Sequence, residues 1–440
     1  MAGKKILLGL GLILLLACAL TLAYAFGFRI EPVVDAHWYD TIGWNLAQGK
    51  GFRLDPNVPL AEDWAIAVVG PAYSYFLAGI YAVFGHHIET VWILQSLLHA
   101  LNALLVFLLA RKTLPEAPER PWYALFAAAL YGFNPDLIQI AAMLFSETLY
   151  LTVILVCAIG MASFLERPTL STALGTSALL GFAILVRPVA LVPFVLLLVL
   201  LALKKHWKWI PAAIAVAAVL IGLWTARNYS VYGRVVLLTA AGGYDLWVGN
   251  NPDSAGEQLV APAINDYKET HGVLETDRHG AEEYVRYLVS DPADFLRLQA
   301  VKAAKFFSAL RTSAWWFHLS GIARLLTFVV SAPFFVFYIV AGGAGLISAF
   351  RHGPAAARIA ALLTLAVPAV VIPITVTSRL RYPMYPFLAV LCALAVFRFR
   401  RGEIPRRWFG FSLALIAVAT AVDVLISAPQ IPARILGLFS

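Results

Sequence analysis

The sequence predicts an all-α polytopic membrane protein with about eleven transmembrane helices, interfacial helices and two large extracytoplasmic loops. Of its 440 residues, 61% are hydrophobic and only 13% are charged, whereas a soluble domain is roughly half apolar and about a quarter charged. Long apolar runs divide the chain, and about 20 apolar residues suffice to cross a bilayer. The placement of lysine and arginine between these runs predicts how the chain is oriented.

Eleven apolar runs are the expected transmembrane helices. The first run follows Lys4 and Lys5 and is longer than the apolar part of a signal peptide, so we expect it to remain as an anchor. The runs at 189–203 and 383–397 are the short ones. The predicted spans are 5–28, 88–111, 121–141, 147–165, 170–186, 189–203, 208–225, 324–349, 358–377, 383–397 and 407–427.

Positive charge orients these spans. With the N-terminus in the cytoplasm, the cytoplasmic segments hold 16 lysines and arginines, and the outer connectors, without the longest loop and the C-terminal tail, hold 6. Cytoplasmic connectors carry the excess of lysine and arginine in membrane proteins. We therefore expect a multi-pass protein of the plasma (inner) membrane whose C-terminus and active site are extracytoplasmic.

Residues 1–440 are predicted to form a single membrane domain. Two outer segments, 29–87 and 226–323, are too long to be simple turns, and residues 324–440 are expected to form the C-terminal transmembrane helices. Within the second loop, 242–256 is rich in turn residues, and an amphipathic helical region is expected near 277–311.

The first outer loop is predicted to contain two helices. A helix is predicted over 35–48, because four residues in it follow one another at spacings of 4, 3 and 4, which places them on one helix face. Gly49 and Gly51 come next and would end the helix. The apolar segment 71–84 is too short to span easily, so we expect an interfacial helix with its tyrosines at headgroup level. The shared face consists of Asp35, Tyr39, Ile42 and Leu46.

Three acids stand at the outer face on this topology: Asp35, Asp40 and Glu147. An ionisable group near membrane depth is costly and is a functional hypothesis by default. A carboxylate there could take a proton from an acceptor hydroxyl as a general base. The alternative is an acid that only stabilises a helix N-terminus through the helix dipole. Both Asp35 and Asp40 stay open as the base.

Arginines at the outer face are the basic residues that point to function, because an excess of lysine and arginine is expected on the cytoplasmic face of any membrane protein. Arg187, Arg227, Arg379 and Arg381 lie there. A guanidinium beside lipid suits two-pronged contact with a phosphate, and the alternative is a side chain that reaches toward the headgroups.

Motifs of other chemistries are missing from the sequence. It has no phosphate-binding GxxxxGK[ST] loop, no GxGxxG after a strand and no HExxH. Its histidines show no metal-ligand spacing, and Cys18, Cys157 and Cys392 each lie in an apolar run. We therefore expect no metal, no cofactor, no disulfide and no nucleic-acid partner.

Several segments together resemble a known family. The first loop reads DAHWYDTIGWNLAQGKGF over 35–52, and GPAYSYFLAGIYAVFG follows at 70–85. FSETLY contains Glu147, GGYDLWVGNNP covers 242–252, and RYPMYPFLAVLCA covers 381–393. In this order they resemble the lipid-linked-sugar glycosyltransferases of C-type (GT-C) fold, in the group of the protein O-mannosyltransferases and the lipid A aminoarabinose transferase.

The resemblance implies a reaction and roles. A monosaccharide would pass, with inversion, from a polyprenyl-phosphate donor to a lipid, glycan or protein acceptor in glycosylation of the cell envelope. Asp35, or alternatively Asp40, would be the base, and Glu147 would position the acceptor or Asp35. Arg187 and Arg381 would bind the leaving phosphate. Tyr39 would hold the acid-bearing helix, and the remaining substrate-binding residues would be Tyr382, Arg227, Tyr244 and Asn250.

A transporter or flippase of lipid or lipid-linked sugar, without catalysis, is the alternative from another class. Transporters show internal repeats and broken helices near the bilayer midplane. In this sequence the ionisable residues cluster at the outer interface and the two long loops differ, which favours the enzyme. A polytopic scaffold or assembly subunit is the third possibility.

Overall fold

The computed structural model describes residues 2–257, 260–310 and 318–428, in which the regular structure is helical. Within these ranges, eight helices are long and apolar enough to cross a membrane, so the prediction of an all-helical polytopic membrane protein is confirmed. They are Gly3–Phe28, Ile88–Thr113, Glu147–Glu166, Trp207–Tyr232, Gly321–His352, Ala355–Ile374, Ser378–Arg400 and Arg407–Ser427.

The predicted number of eleven spans differs from these eight. The apolar helices Leu170–Val186 and Pro188–Leu203 are shorter, as is Pro71–Phe84. The predicted span over 121–141 is divided into two helices, Arg120–Gly132 and Pro135–Ala141. A residue before proline avoids helical geometry, and here the Asn134 side chain instead accepts a hydrogen bond from the Asp136 N–H at 3.0 Å.

The α-helices of the described residues are numbered along the chain. They are α1 (Ala2–Phe28), α2 (Asp35–Ala47), α3 (Trp64–Val68), α4 (Pro71–Phe84), α5 (Ile88–Thr113), α6 (Arg120–Gly132), α7 (Pro135–Ala141), α8 (Glu147–Glu166), α9 (Leu170–Val186), α10 (Leu191–Leu203), α11 (Ile210–Tyr232), α12 (Gly242–Gly249), α13 (Pro262–Ser290), α14 (Pro292–Phe307), α15 (Gly321–His352), α16 (Ala355–Ile374), α17 (Tyr385–Arg400) and α18 (Arg407–Ser427).

The chain divides into two compact units. The first comprises Met1–Phe133, Leu137–Thr239 and His352–Leu363, and the second comprises Asn134–Asp136, Ala240–Arg351 and Thr364–Ser440. The predicted single domain and the predicted loop boundaries stay predictions.

In the first unit, α2 and α4 pack face to face. A Cβ on Gly43 of α2 would lie 2.8 Å from the Leu77 Cβ and 3.3 Å from the Ser74 carbonyl oxygen of α4, so only glycine permits this approach. The expected helix over 35–48 is therefore present as α2, and Gly49 follows it with a φ of 74°. Glycine reaches this left-handed region without the cost that a Cβ imposes.

The predicted helix over 71–84 is present as α4, but two of its tyrosines face inward. Tyr73 and Tyr81 are buried, and Tyr75 is exposed. Gly70 precedes the helix, and a Cβ there would lie 2.8 Å from the Val186 carbonyl oxygen. The first turn of α4 therefore lies against the last turn of α9.

In the second unit, glycines allow close helix packing at two places. A Cβ on Gly345 of α15 would lie 2.0 Å from the Leu391 carbonyl oxygen of α17, and small residues commonly permit such contacts between membrane helices. A Cβ on Gly243 of α12 would lie 1.8 Å from the Asp277 carbonyl oxygen of α13. The turn-rich segment 242–256 thus begins with a short helix, α12, and the helical region expected near 277–311 is formed by α13 and α14.

Candidate active site

A buried ion pair lies at the N-terminus of α8. The Glu147 Oε1 is 2.6 Å from the Arg187 Nη1, and the Glu147 side chain is only 1% exposed. Arg187 Nη1 also donates to the Ser146 Oγ at 3.2 Å. Both described contacts of Arg187 use Nη1.

Local sequence explains how the two partners are placed. Glu147 is the first residue of α8, where the helix dipole favours an acid. Arg187 ends α9 because Pro188 follows it, and its φ of −147° and ψ of 122° are extended. The two residues thus stand at a helix start and a helix end that lie side by side.

Tyr39 of α2 joins this group. The Ser146 side chain forms a hydrogen bond with the Tyr39 hydroxyl, and Asp35, Arg187 and Glu147 are all close enough to act on it electrostatically. Burial, with a further contribution from the Asp35 charge, raises the pKa of Tyr39 to about 12. The phenol therefore remains protonated at neutral pH and can donate a hydrogen bond.

Asp35 is the first residue of α2 and is half-buried. The residue before it, Val34, has a φ of 53° and a ψ of −125°. A β-branched residue with positive φ is a clear outlier, and strained backbone of this kind clusters at functional sites. The structure thus brings together Asp35, Tyr39, Ser146, Glu147 and Arg187, which we call the acid–arginine cluster.

Asp40, the other candidate for the base, has different neighbours. Its Oδ1 accepts a hydrogen bond from the Tyr81 hydroxyl and lies 3.0 Å from the His86 Nε2. Its side chain is 11% exposed. Asp40 therefore already engages two partners on one oxygen.

Arg227 lies at the end of α11 on aromatic rings. Its Cζ is 5.2 Å from the centroid of Phe52 and 4.9 Å from that of Trp224. Its Nη2 donates to the Phe52 carbonyl oxygen at 3.1 Å. The described contacts tie Arg227 to the end of the G-x-G-F segment, 49–52.

Of the predicted substrate-binding residues of the second unit, Tyr244 lies in α12 and Asn250 directly follows it. Tyr244 is half-buried, and its backbone N–H donates to the Asp277 Oδ1 at 3.3 Å. Asn250 is fully buried. Its amide nitrogen donates to the Leu246, Pro373 and Ile374 carbonyl oxygens at 2.8, 3.0 and 3.0 Å.

Sequence reasoning missed the cations around Asn250. The Lys302 Nζ lies 2.7 Å from the Asn250 Oδ1, 3.2 Å from the Pro373 oxygen and 3.1 Å from the Ile374 oxygen. Burial lowers the pKa of Lys302 to about 7. Lys305, one turn on, forms a buried ion pair with Glu257 at 2.7 Å. Their spacing of three on α14 was the available signal, but it cannot be distinguished from an ordinary exposed helix face.

Arg381 and Tyr382 belong to the same unit and are also buried. Arg381 Nη1 donates to the Ser308 oxygen at 3.1 Å, and Nη2 donates to the Lys305 oxygen at 2.8 Å. Its Cζ lies 4.8 Å from the Phe335 ring centroid. Tyr382 packs against Tyr385, with ring centroids 5.4 Å apart.

The described ranges 2–257, 260–310 and 318–428 contain no group of three or more histidine, cysteine or acidic side chains that could hold a metal ion. The three cysteines are free.

Residues 68–229 match the family described as dolichyl-phosphate-mannose-protein mannosyltransferase. This match spans α4 to α11, which carry Glu147 and Arg187, and it confirms the predicted resemblance over that range. The oligosaccharyltransferase of Archaeoglobus fulgidus, solved in the apo form, is similar at 14% identity and a TM-score of 0.48 over 94% of this chain. This chain covers 55% of that protein's length. No curated protein matches.

Proposed function

We propose that this membrane protein, whose residues 68–229 match a mannosyltransferase family, transfers one monosaccharide from a polyprenyl-phosphate donor to a lipid, glycan or protein acceptor, with inversion, at the extracytoplasmic face. The observation that carries this proposal is the acid–arginine cluster. It combines two carboxylates, a buried phenol and a guanidinium within one unit.

The reaction requires a base and an anion site. The acceptor oxygen attacks the anomeric carbon and the bond from that carbon to the phosphate oxygen breaks, so the lipid phosphate leaves with the bonding electrons. Asp35 takes the acceptor proton. It is the most accessible of the three candidate acids, since Asp40 and Glu147 are buried, and a base must reach its proton within hydrogen-bond distance.

Arg187 holds the leaving phosphate in this proposal. Glu147 fixes the guanidinium, which contacts the phosphate. Charge grows on the phosphate oxygen as the bond breaks, and a preorganised cation is worth most where charge develops. Glu147 thus acts on Arg187, a role that supplements the predicted positioning of the acceptor or Asp35. Tyr39 holds α2 against Ser146.

The remaining predicted residues keep their proposed roles in substrate binding, and the described contacts of each one differ. Arg381 and Tyr382 are buried in the second unit, and their contact with a donor phosphate stays a prediction. Arg227, through Phe52, orders the end of the first loop segment. Tyr244 and Asn250 order the end of α12, and their contact with substrate stays a prediction.

The proposed membrane face depends on the distribution of positive charge. The N-terminus is cytoplasmic in this proposal, because the excess of lysine and arginine then lies inside. The donor's phosphate would lie at headgroup level, where Asp35 and Arg187 are expected.

An in vitro assay tests the proposal. The purified protein in nanodiscs is given a panel of radiolabelled polyprenyl-phosphate monosaccharides with a total lipid extract, an envelope glycan fraction or an envelope protein fraction as acceptor. We expect label from one donor to enter one acceptor fraction with inverted anomeric configuration. Saturable binding of a donor without transfer to any fraction would support the transporter instead. Retained configuration would exclude the single displacement.

A further inference from the structure

A second polar cluster is built around Asp40 of α2, the residue that follows Tyr39. The Asp40 Oδ1 accepts from the Tyr81 hydroxyl and lies 3.0 Å from the His86 Nε2. The Asp40 side chain is 11% exposed and the His86 side chain is 36% exposed. His86 directly follows Gly85, whose φ of 78° ends α4 and turns the chain back toward α2.

Aromatic packing holds His86 in this position. The Trp44 ring stacks on the imidazole with a centroid distance of 4.9 Å and an interplanar angle of 10°. The Tyr81 ring meets the imidazole edge-on at 4.8 Å and 85°. We call Asp40, Trp44, Tyr81 and His86 the α2 clamp. Its members come from α2, from α4 and from the turn after α4, so it fastens the middle of α2, between Asp40 and Trp44.

Through Tyr39, the N-terminal part of α2 is connected to residues 143–147, the segment that ends in Glu147. Tyr39 contacts the Tyr73 ring edge-on at 5.0 Å, and the Tyr73 hydroxyl donates to the Gln95 Oε1 at 2.7 Å. Gln95 in turn donates to the Met143 carbonyl oxygen at 2.7 Å. The way α2 packs on α4 therefore determines the position of Asp35 relative to the segment that ends in Glu147.

We propose that the α2 clamp positions the base of the sugar-transfer reaction. His86 and Tyr81 are positioning residues that act through Asp40 to hold α2, and thereby Asp35, in register. This inference rests on the proposed function. Asp40 is a positioning residue in this account, because its Oδ1 already engages Tyr81 and His86 and its side chain is only 11% exposed.

The expected effect falls on the rate of the chemical step. A displacement of about 1 Å at the reacting atoms can cost roughly 100-fold in rate. Loss of the clamp moves Asp35 without removing it, so kcat falls and KM for the donor, which Arg187 binds, changes little.

A double-mutant cycle tests the clamp. Transfer by His86→Ala, Asp40→Ala and the double variant is measured per folded molecule, with the folded fraction taken from size exclusion in detergent. We expect each single variant to lose roughly 10- to 100-fold in kcat, with KM within about twofold of wild type. The double variant should be no slower than the slower single one, since residues in contact are not additive.

Two further variants control the test. His87→Ala changes an exposed neighbouring histidine and should leave kcat unchanged. His86→Gln keeps an N–H donor for Asp40 and should recover most of the kcat lost in His86→Ala. A purely structural role would lower the folded fraction while kcat per folded molecule stayed at the wild-type value.

Three outcomes overturn the inference. They are multiplicative losses in the double variant, unchanged kcat in His86→Ala, and a loss in Asp40→Asn far beyond that of Asp35→Asn, which would make Asp40 the base. Failure of the proposed function looks different, because the wild type itself would then transfer no sugar from any donor. The coupling between His86 and Asp40 would still appear in the thermal unfolding midpoints.

Discussion

The three acids that the sequence singled out, of which Asp35 and Asp40 stayed open as the base, have different surroundings at the residue scale. Glu147 is buried against Arg187, Asp40 accepts from Tyr81 beside His86, and Asp35 begins a helix in a half-buried position. A group that must meet an incoming hydroxyl needs access, and a group that fixes an arginine needs burial. Exposure therefore supports Asp35 as the base and Glu147 as the partner of Arg187.

Arg187→Ala is expected to reduce both activity and stability. Removing one partner of a buried pair leaves an uncompensated charge, here Glu147, at a cost of about 3–5 kcal/mol. Loss of a cation from the leaving group costs roughly 100- to 1000-fold in kcat. Transfer kinetics and thermal unfolding in nanodiscs measure both effects. Arg187→Lys should recover little of the lost kcat, because the compact lysine ammonium lacks the planar guanidinium that could contact Glu147 and a phosphate at the same time. Full recovery of kcat in Arg187→Lys would contradict the phosphate role.

Val34→Gly is expected to stabilise the protein. The φ of 53° at Val34 is costly for a β-branched residue, by about 1–3 kcal/mol. Glycine accepts this conformation at an entropic cost of about 0.5–1 kcal/mol. The unfolding midpoint should therefore rise in Val34→Gly. Val34→Ala keeps a Cβ and should show a smaller rise. A midpoint of Val34→Gly no higher than that of the wild type would mean that no backbone strain is relieved.

At the scale of elements, the contact between α2 and α4 depends on one glycine. Gly43→Ala would bring a Cβ to 2.8 Å from the Leu77 Cβ, and overpacking of this kind costs about 1–3 kcal/mol. We expect a lower unfolding midpoint and a lower kcat, because α2 carries Asp35. Gly79→Ala is the matched control, since nothing lies within 4 Å of a Cβ there. Equal effects of the two changes would contradict the close packing.

The sequence predicted elements better than their contacts. The spacing of Asp35 and Tyr39, with Gly49 after them, sufficed to predict α2, and two residues of the predicted shared face, Tyr39 and Ile42, are buried. Nothing in the spacing indicated that His86 would meet Asp40, because that contact closes a loop of 46 residues. The span expected over 121–141 was predicted by hydropathy alone, which does not register the effect of Pro135 on the residue before it.

At the scale of the whole molecule, the second unit is expected to respond to pH through Lys302. Its pKa is lowered from 10.5 to about 7, because the loss of hydration on burial outweighs the stabilisation of the charged amine by the oxygen atoms around it. Between these two values the unfolded chain binds more protons than the folded one, so stability rises with pH across that interval. Below pH 7 both states hold the proton and this contribution is flat.

Lys302→Met should remove that rise. Thermal unfolding midpoints of the wild type and the variant, taken between pH 7 and 10, measure it. Lys50→Met, which changes an exposed lysine, should keep the wild-type profile. Parallel profiles for wild type and Lys302→Met would show that Lys302 is not the group responsible.

The most direct test of the whole account compares single-turnover sugar transfer by the wild type, Asp35→Asn and Asp35→Glu in nanodiscs, with donor binding measured in parallel. A general base contributes roughly 100- to 10,000-fold. We predict a loss of that size for Asp35→Asn with unchanged donor affinity and unfolding midpoint, and partial activity for Asp35→Glu, which retains a carboxylate. Wild-type transfer by a well-folded Asp35→Asn would contradict the assignment of Asp35 as the base.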